Sequence, residues 1–191
     1  MGNNNLNIEK LHITGLDIID LAGIFSETGE YTTSKVMVGT SKMLKNEKGL
    51  IAGEKIEKNS LIYLKKDHIT DIRTVSSIEV AHCKHIETAN MGRYINHSCE
   101  PNAHVKTNLI NDDTGVVALL SVKEIDKGDE ITFDYATTES FLSAEASRIR
   151  CLCGSEFCRG KIMSFNDLTY AERVRLKNAQ FLANHLMNKI S

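Results

Sequence analysis

The sequence predicts a mainly β protein of small sheets, closed by a cysteine-bound metal loop and ending in a C-terminal helix. Three observations carry that expectation. Short β-branched runs, SKVMVGT, NSLIYLKK, VVALLSV and DEITFDY, recur between turn-forming clusters over residues 35–135. Four of the five cysteines, Cys99, Cys151, Cys153 and Cys158, form a set that can close around one metal ion. Thr169 and Glu172 have capping-box spacing, and Ala171, Val174, Phe181, Leu182, Leu186 and Ile190 follow near helical spacing.

Residues 1–34 form an unassigned N-terminal extension, polar at first and then apolar in LDIIDLAGIF, residues 16–25. That run fits a short buried helix or a strand, and periodicity does not decide between them. Next come the strand runs, whose turns are expected at residues 111–115 (NDDTG) and 126–129 (DKGD), because Asn, Asp and Gly supply turn conformations at low steric cost. The chain closes with one helix, expected to pack on its own domain.

Cys151, Cys153 and Cys158 make a C-x-C-x4-C cluster, one thiolate short of the closed tetrahedral set that structural zinc prefers. Cys99 is the distant fourth donor. One intervening residue in an extended chain leaves the first two sulfurs too far apart for a single ion, so the backbone must bend, and Gly154 permits the bend. A site closed by four thiolates has no open position, so this zinc is structural. His82, Cys83 and His85 resemble ligands superficially, but too few partners accompany them.

The chain has 191 residues, 41% hydrophobic and 25% charged, the composition of one globular domain with a real core. A net charge of −2 and a pI near 6.4 argue against broad nucleic-acid or anionic-membrane binding and leave room for a basic peptide. No apolar stretch is long enough to span a membrane, and the N-terminus lacks a basic region followed by an apolar one. Leu6 stands where a myristoylation signal needs Ser or Thr. A cytoplasmic location is expected, with an odd cysteine count favouring metal over disulfides.

Three blocks now fix a resemblance. GRYINHSCEPN (92–102), GDEITFDY (128–135) and CLCGSEFCRG (151–160) occur in the order and form found in SET-domain protein lysine methyltransferases that carry a post-SET zinc segment. The chain resembles that family over residues 35–161. The resemblance implies a SET domain at 35–140, a connector and post-SET zinc segment at 141–163, and a C-terminal helical extension at 164–191. It further implies that the NHSC segment threads beneath a loop near the final tyrosine strand in a pseudoknot-like crossing, which would bring Asn96, His97 and Tyr135 together.

The family's chemistry is methyl transfer from S-adenosylmethionine to the ε-amine of a protein lysine, with the protein supplying binding and positioning. On that resemblance Tyr135 is the catalytic tyrosine that aims the amine. Lys48, Gly49, Leu50, Arg93, Tyr94, Asn96, His97 and Leu152 are the cofactor-binding candidates, with Arg93 able to pair with the methionine carboxylate. Phe133 lies two residues before Tyr135, so both rings can face a lysine channel by the period-two rule. A phenylalanine there leaves room for more than one methyl group.

Taken alone, an Asn-His pair is a turn, a lone Arg a solvated face and a strand-ending Tyr a core residue. Relatives usually carry G-x-G before the first apolar strand. Here that stretch reads Glu47-Lys48-Gly49, with only the second glycine present. The expected partner is a lysine-bearing protein, with no nucleic acid and no membrane, and the chain is expected to be a monomer or homodimer. The alternative is a catalytically weak or inactive SET-like scaffold, which a cofactor-binding titration separates from an enzyme.

Overall fold

A computed structural model describes residues 29–88 and 90–190. Residues 1–28, including the 16–25 apolar run, lie outside the described residues. Ten strands make three sheets, and helices are few and short. Strands β1 (Glu30–Thr32), β2 (Val36–Thr40), β3 (Lys48–Ala52) and β4 (Leu61–His68) open the fold, followed by the hairpin β5 (Ser77–Ala81) and β6 (Lys84–Glu87). After the two-residue β7 (Asn96–His97) come β8 (Ala103–Leu109), β9 (Thr114–Ser121) and β10 (Glu130–Phe133). One sheet has the order β1-β4-β9-β8, the second β2-β3-β10-β7.

The β-branched runs become strands because two apolar faces can be buried at once. Along β9, Val117 and Leu119 point into the main core while Val116, Ala118 and Leu120 join a second cluster with Leu61 and Leu64, as period-two geometry requires. The main core lies between the sheets. Ile62, Tyr63 and Val105 from one meet Leu50, Ile131 and Phe133 from the other, and Ile78, Val80 and Ile86 of the β5–β6 hairpin join them.

Both expected turns form. Asp129 N–H donates to Asp126 O at 3.0 Å, with Gly128 at φ +89°, and Asp113 N–H donates to Asn111 Oδ1 at 2.9 Å ahead of Gly115. Strand β8, AHVKTNL, alternates buried and half-exposed positions from Ala103 to Asn108 and leaves Leu109 exposed.

Segment 96–102 settles against β10, far along the chain. Strand β7 pairs in parallel with β10, Asn96 opposite Thr132 and His97 opposite Phe133, and Ser98 N–H donates to Phe133 O at 3.1 Å. Asn102 then substitutes its side chain for a strand. Its Nδ2 donates to Glu130 O and its Oδ1 accepts from Thr132 N–H, both at 2.9 Å. The amide thereby satisfies two buried backbone groups that no strand reaches.

The C-terminus corrects the expectation of one helix. The capping box forms, Thr169 Oγ1 accepting from Glu172 N–H and Glu172 reaching back to Thr169 N–H, and it starts α1 (Tyr170–Asn178). The helix then stops at Gln180, which takes φ +58°. Gln180 N–H donates to Lys177 O and Phe181 N–H to Leu176 O, both at 3.0 Å, a Schellman ending with glutamine in the left-handed position. A short α2 (Asn184–Met187) follows. The break lets Leu182 and Leu186 turn back onto Phe165, Leu168 and Leu176, a cluster that also includes Ala136. No helix among the described residues is long and apolar enough to cross a membrane.

Candidate active site and metal centre

Four sulfurs converge first. The Sγ atoms of Cys99, Cys151, Cys153 and Cys158 all lie within 4.8 Å of one another, with Cys99 and Cys151 3.8 Å apart. A tetrahedral ion with bonds of about 2.3 Å places its donors about 3.8 Å from each other, so the set fits a single metal of zinc's size. The loop supplies this geometry by bending. Gly154 takes φ +70° directly after Cys153, Cys158 N–H donates to Ser155 O at 3.1 Å, and Cys151 N–H donates to Gly160 O at 3.1 Å across the loop's base.

Burial raises the thiols of Cys99 and Cys151. At Cys153 burial acts in the same direction but is outweighed by amide donation from Cys99 and Ser155, and its thiol falls to about 7. A cation supplies the charge that lets the remaining thiols ionise. Leu152 is 51% exposed between two of these ligands, beside the metal loop.

The second feature is the turn at 134–137. Strand β10 ends at Phe133, and a 3-10 turn over Tyr135–Thr137 starts at Asp134, whose Oδ1 accepts from Ala136 N–H at 3.1 Å. Period-two geometry therefore does not relate Phe133 to Tyr135. Their rings still meet, with centroids 4.8 Å apart, because the turn folds Tyr135 back onto the strand end. Tyr135 also meets His97 edge-on at 5.2 Å, and its hydroxyl donates to Ile95 O at 3.0 Å. Burial of that hydroxyl, then the nearby Glu139 and Glu130 carboxylates, raise its pKa, so the phenol stays protonated.

His97 is neutral. Burial and then the Arg159 charge push its pKa down to about 3. Its Nδ1 accepts from Tyr135 N–H at 3.3 Å, which leaves the proton on Nε2, 3.3 Å from Cys99 Sγ. The 3.6 Å approach of Asp134 Oδ1 to Nδ1 is therefore not an ion pair.

Around Asn96 the structure assigns a different reason for glycine. Asn96 Nδ2 donates to Lys48 O at 2.9 Å and to Glu130 Oε1 at 2.7 Å, and Glu130 also accepts from Ser41 Oγ and Lys42 N–H. A Cβ on Gly49 would lie 2.4 Å from Glu130 Oε1. The close approach at Gly49 is thus made by an internal carboxylate, and the Asn96 amide donates once to that carboxylate and once to Lys48 O. Lys48 is exposed, and Leu50 is fully buried between β2 and β10, where it packs in the core.

A cleft of about 350 Å³ opens beside Tyr135, lined by Phe133, Tyr135, Ile78, Ile95, Glu139 and Ile149. Arg93 also lines this cleft, and the Gly92–Tyr94 turn that carries it packs against β3. Tyr94 is half-buried on the main core, with the Arg93 guanidinium 5.7 Å from its ring.

Two features, Glu139 and Glu130, were missed by sequence reasoning, and a third, Arg159, was legible only as one of several basic residues flanking the cysteine cluster. Glu139 is 8% exposed, pairs with Arg73 at 3.0 Å and accepts from Glu79 N–H at 2.9 Å, while Glu79 accepts from Ser140 N–H at 2.6 Å. Burial, partly offset by the Glu79 amide and Arg73, raises Glu139 to about 7. Glu130 is the organiser of the β3 edge. Arg159 is no surface charge but sits between Asp134 and Cys99. None has a spacing signal, since each partner lies on a distant segment.

His82 and Cys83 occupy the exposed β5–β6 turn, whereas His85 is buried and its backbone pairs with Thr70.

A family profile described as the SET domain matches residues 47–136. Histone-lysine N-methyltransferase ASHH2 of Arabidopsis thaliana is 42% identical over 73 residues, 38% of this chain and 4% of that protein. Histone-lysine N-methyltransferase SETD1B of Homo sapiens is 40% identical over 73 residues, 38% of this chain and 3% of that protein. The chain thus spans only a few per cent of the length of these relatives. The crystal structure of KRYPTONITE in complex with mCHG DNA and SAH superposes with a TM-score of 0.50 at 23% identity, covering 67% of this chain and 29% of that one, a likeness of fold alone. The ordered motifs, the packing of segment 96–102 beside β10 and the family profile's match lead to one assignment: residues 47–136 of this chain are a SET domain.

Proposed function

We propose that the protein is an S-adenosylmethionine-dependent protein lysine N-methyltransferase, with a lysine-bearing protein as substrate. The observation that carries this reading is Tyr135 itself, which lines a cleft together with Phe133 and meets the His97 ring of the NHSC segment edge-on. The relatives are named histone-lysine N-methyltransferases, so a histone lysine is the first substrate to test.

The residues suit that chemistry. A free lysine has a pKa of about 10.4, so its amine must lose a proton before it can attack. Tyr135 donates its own proton to Ile95 O, leaving its oxygen lone pairs to accept an N–H from the amine and orient the nitrogen. Because the phenol stays protonated, its role is positioning, and the amine's proton departs through water. When bound, S-adenosylmethionine supplies a sulfonium methyl: the N–CH3 bond forms as the S–CH3 bond breaks, the electron pair returning to sulfur. Lys48, Gly49, Arg93, Asn96, His97 and Leu152 are the residues we assign to hold it. Phe133, which brings no hydroxyl, leaves space for further methylation.

We assign zinc to Cys99, Cys151, Cys153 and Cys158, the SET region to 35–140, the metal segment to 141–163 and the C-terminal extension to 164–191. KRYPTONITE was crystallised with DNA. With a net charge of −2, this chain is proposed to act on protein in the cytoplasm without contacting nucleic acid itself. Labelled methyl transfer from S-adenosylmethionine into core histones and other lysine-bearing proteins, with mapping of the modified residue, tests the reading. Absence of incorporation by zinc-loaded protein that binds the cofactor would count decisively against it.

A further inference from the structure

Four side chains from three distant segments close a ring behind the Tyr135 turn. Cys99 Sγ receives Arg159 N–H and Arg159 Nε–H, each at 3.4 Å, and faces His97 Nε2 at 3.3 Å. Three donors aimed at one sulfur suit a thiolate, the form in which a cysteine binds metal. The other end of the Arg159 guanidinium donates to Asp134 Oδ1. Asp134 and His97 in turn hold the backbone of the turn: Ala136 N–H donates to Asp134 Oδ1, Thr137 N–H and Oγ1–H to Asp134 O, and Tyr135 N–H to His97 Nδ1.

The ring is buried. Asp134 is 2% exposed, the Arg159 side chain 10%, and the second Asp134 oxygen has no hydrogen-bond partner among the described residues. Taking an aspartate and an arginine out of water costs more than a well-packed apolar pair of similar size, so such a pair is a poor device for stability alone. It does fix geometry. The guanidinium is a rigid planar fork that can hold a sulfur with one edge and a carboxylate with the other at a set spacing.

We propose that Asp134 and Arg159 are positioning residues that hold the Tyr135 turn in register with the four-cysteine site, so that metal loading sets the geometry of the turn. This rests on the assignment of a metal to those cysteines. Without the ion Cys99 Sγ is no longer pinned against the other three sulfurs, so the anchor that Arg159 grips is free to shift and the Asp134 cap loosens. The ring therefore carries metal occupancy to the phenol through side chains rather than through the sheet.

Amide hydrogen exchange on the zinc-loaded chain tests this without reading methyl transfer. In Arg159→Gln and in Asp134→Asn, the amides of Tyr135, Ala136 and Thr137 should exchange at least tenfold faster than in the native protein, while those of β4 and β9 stay unchanged. Arg159→Lys should recover part of the protection, since one ammonium cannot span both partners. Chelating zinc from the native chain should give the same local pattern. Wild-type protection of the turn in zinc-loaded Asp134→Asn, or in the chelated native chain, would overturn the proposal. Asp134 contacts no cysteine, so its variant decides the question even if Arg159→Gln sheds metal. A metal-coupled turn in a protein that transfers no methyl would sink the methyltransferase reading alone, and an active enzyme with an uncoupled turn would sink this one alone.

Discussion

Single residues carry most of the chemistry, and three of them yield direct expectations. Tyr135→Phe removes one oxygen and keeps the ring contacts with Phe133 and His97, so cofactor affinity should persist while methyl transfer falls by about a hundredfold, as single-turnover assays would measure. Gly49→Ala drives a methyl into a carboxylate that Ser41, Lys42 and Asn96 already hold in place. That should cost about 1–3 kcal/mol of stability in denaturant unfolding and weaken cofactor binding with it. Glu139 gives a pH effect. Its pKa rises from 4.5 to about 7 on folding, so the folded state holds the extra proton between those values. Its contribution is complete below pH 4.5 and disappears as pH rises through 7, up to about 3 kcal/mol before sharing with Glu79 and Arg73. His97 and His104, buried and neutral, contribute the opposite sign in acid. They do so equally in Glu139→Gln, so the difference between variant and native stabilities at pH 5 and pH 8 isolates Glu139. His185, 3.9 Å from Glu79, also faces this cluster, and burial lowers its pKa.

At the scale of elements, local chemistry was readable and its endpoints less so. The capping box at Thr169 fixes where α1 begins, and Thr169→Ala should cost about 1 kcal/mol, seen as a lower unfolding midpoint with an unchanged m-value. Its end was not readable in the same way. Gln180 is an unremarkable residue in sequence, and it takes the left-handed position because Phe181 gains contact with Leu176 when the chain reverses there. The turns at 111–115 and 126–129 were legible for the opposite reason, since Asn, Asp and Gly solve the backbone problem locally. Strand β8 shows the remaining case: its alternation is strict, but Lys106 and Asn108 on the open face dilute the apolar signal.

For the whole molecule, the metal is expected to govern the C-terminal third more than the sheets. The sheets share a core of Leu50, Ile62, Val105, Leu119 and Ile131 that includes no cysteine ligand, whereas segment 151–158 is tied to the rest through Cys99, Arg159 and the Ser155–Glu100 hydrogen bond. Metal analysis should give about one zinc per chain, reduced sharply in Cys99→Ala. Chelation should expose segment 151–158 to proteolysis while far-ultraviolet circular dichroism retains its β signal. Loss of the sheets on chelation would show instead that metal and core fold as one unit.

The sequence by itself determined the strand runs, two turns, the helix start and the C-x-C-x4-C cluster, because each depends on residue type at short spacing, whereas the structure decided that Cys99 and not the exposed Cys83 completes the cluster. Only the tertiary structure decided what touches Tyr135, why Gly49 must be glycine, and where Arg93 and Arg159 point. Those facts belong to pairs far apart in the chain: Gly49 with Glu130, Cys99 with Arg159, Glu79 with Glu139. A side chain's partner across such a distance is fixed by how β7 and β10 lie together and how the C-terminal segment folds over them, and no local pattern encodes that placement.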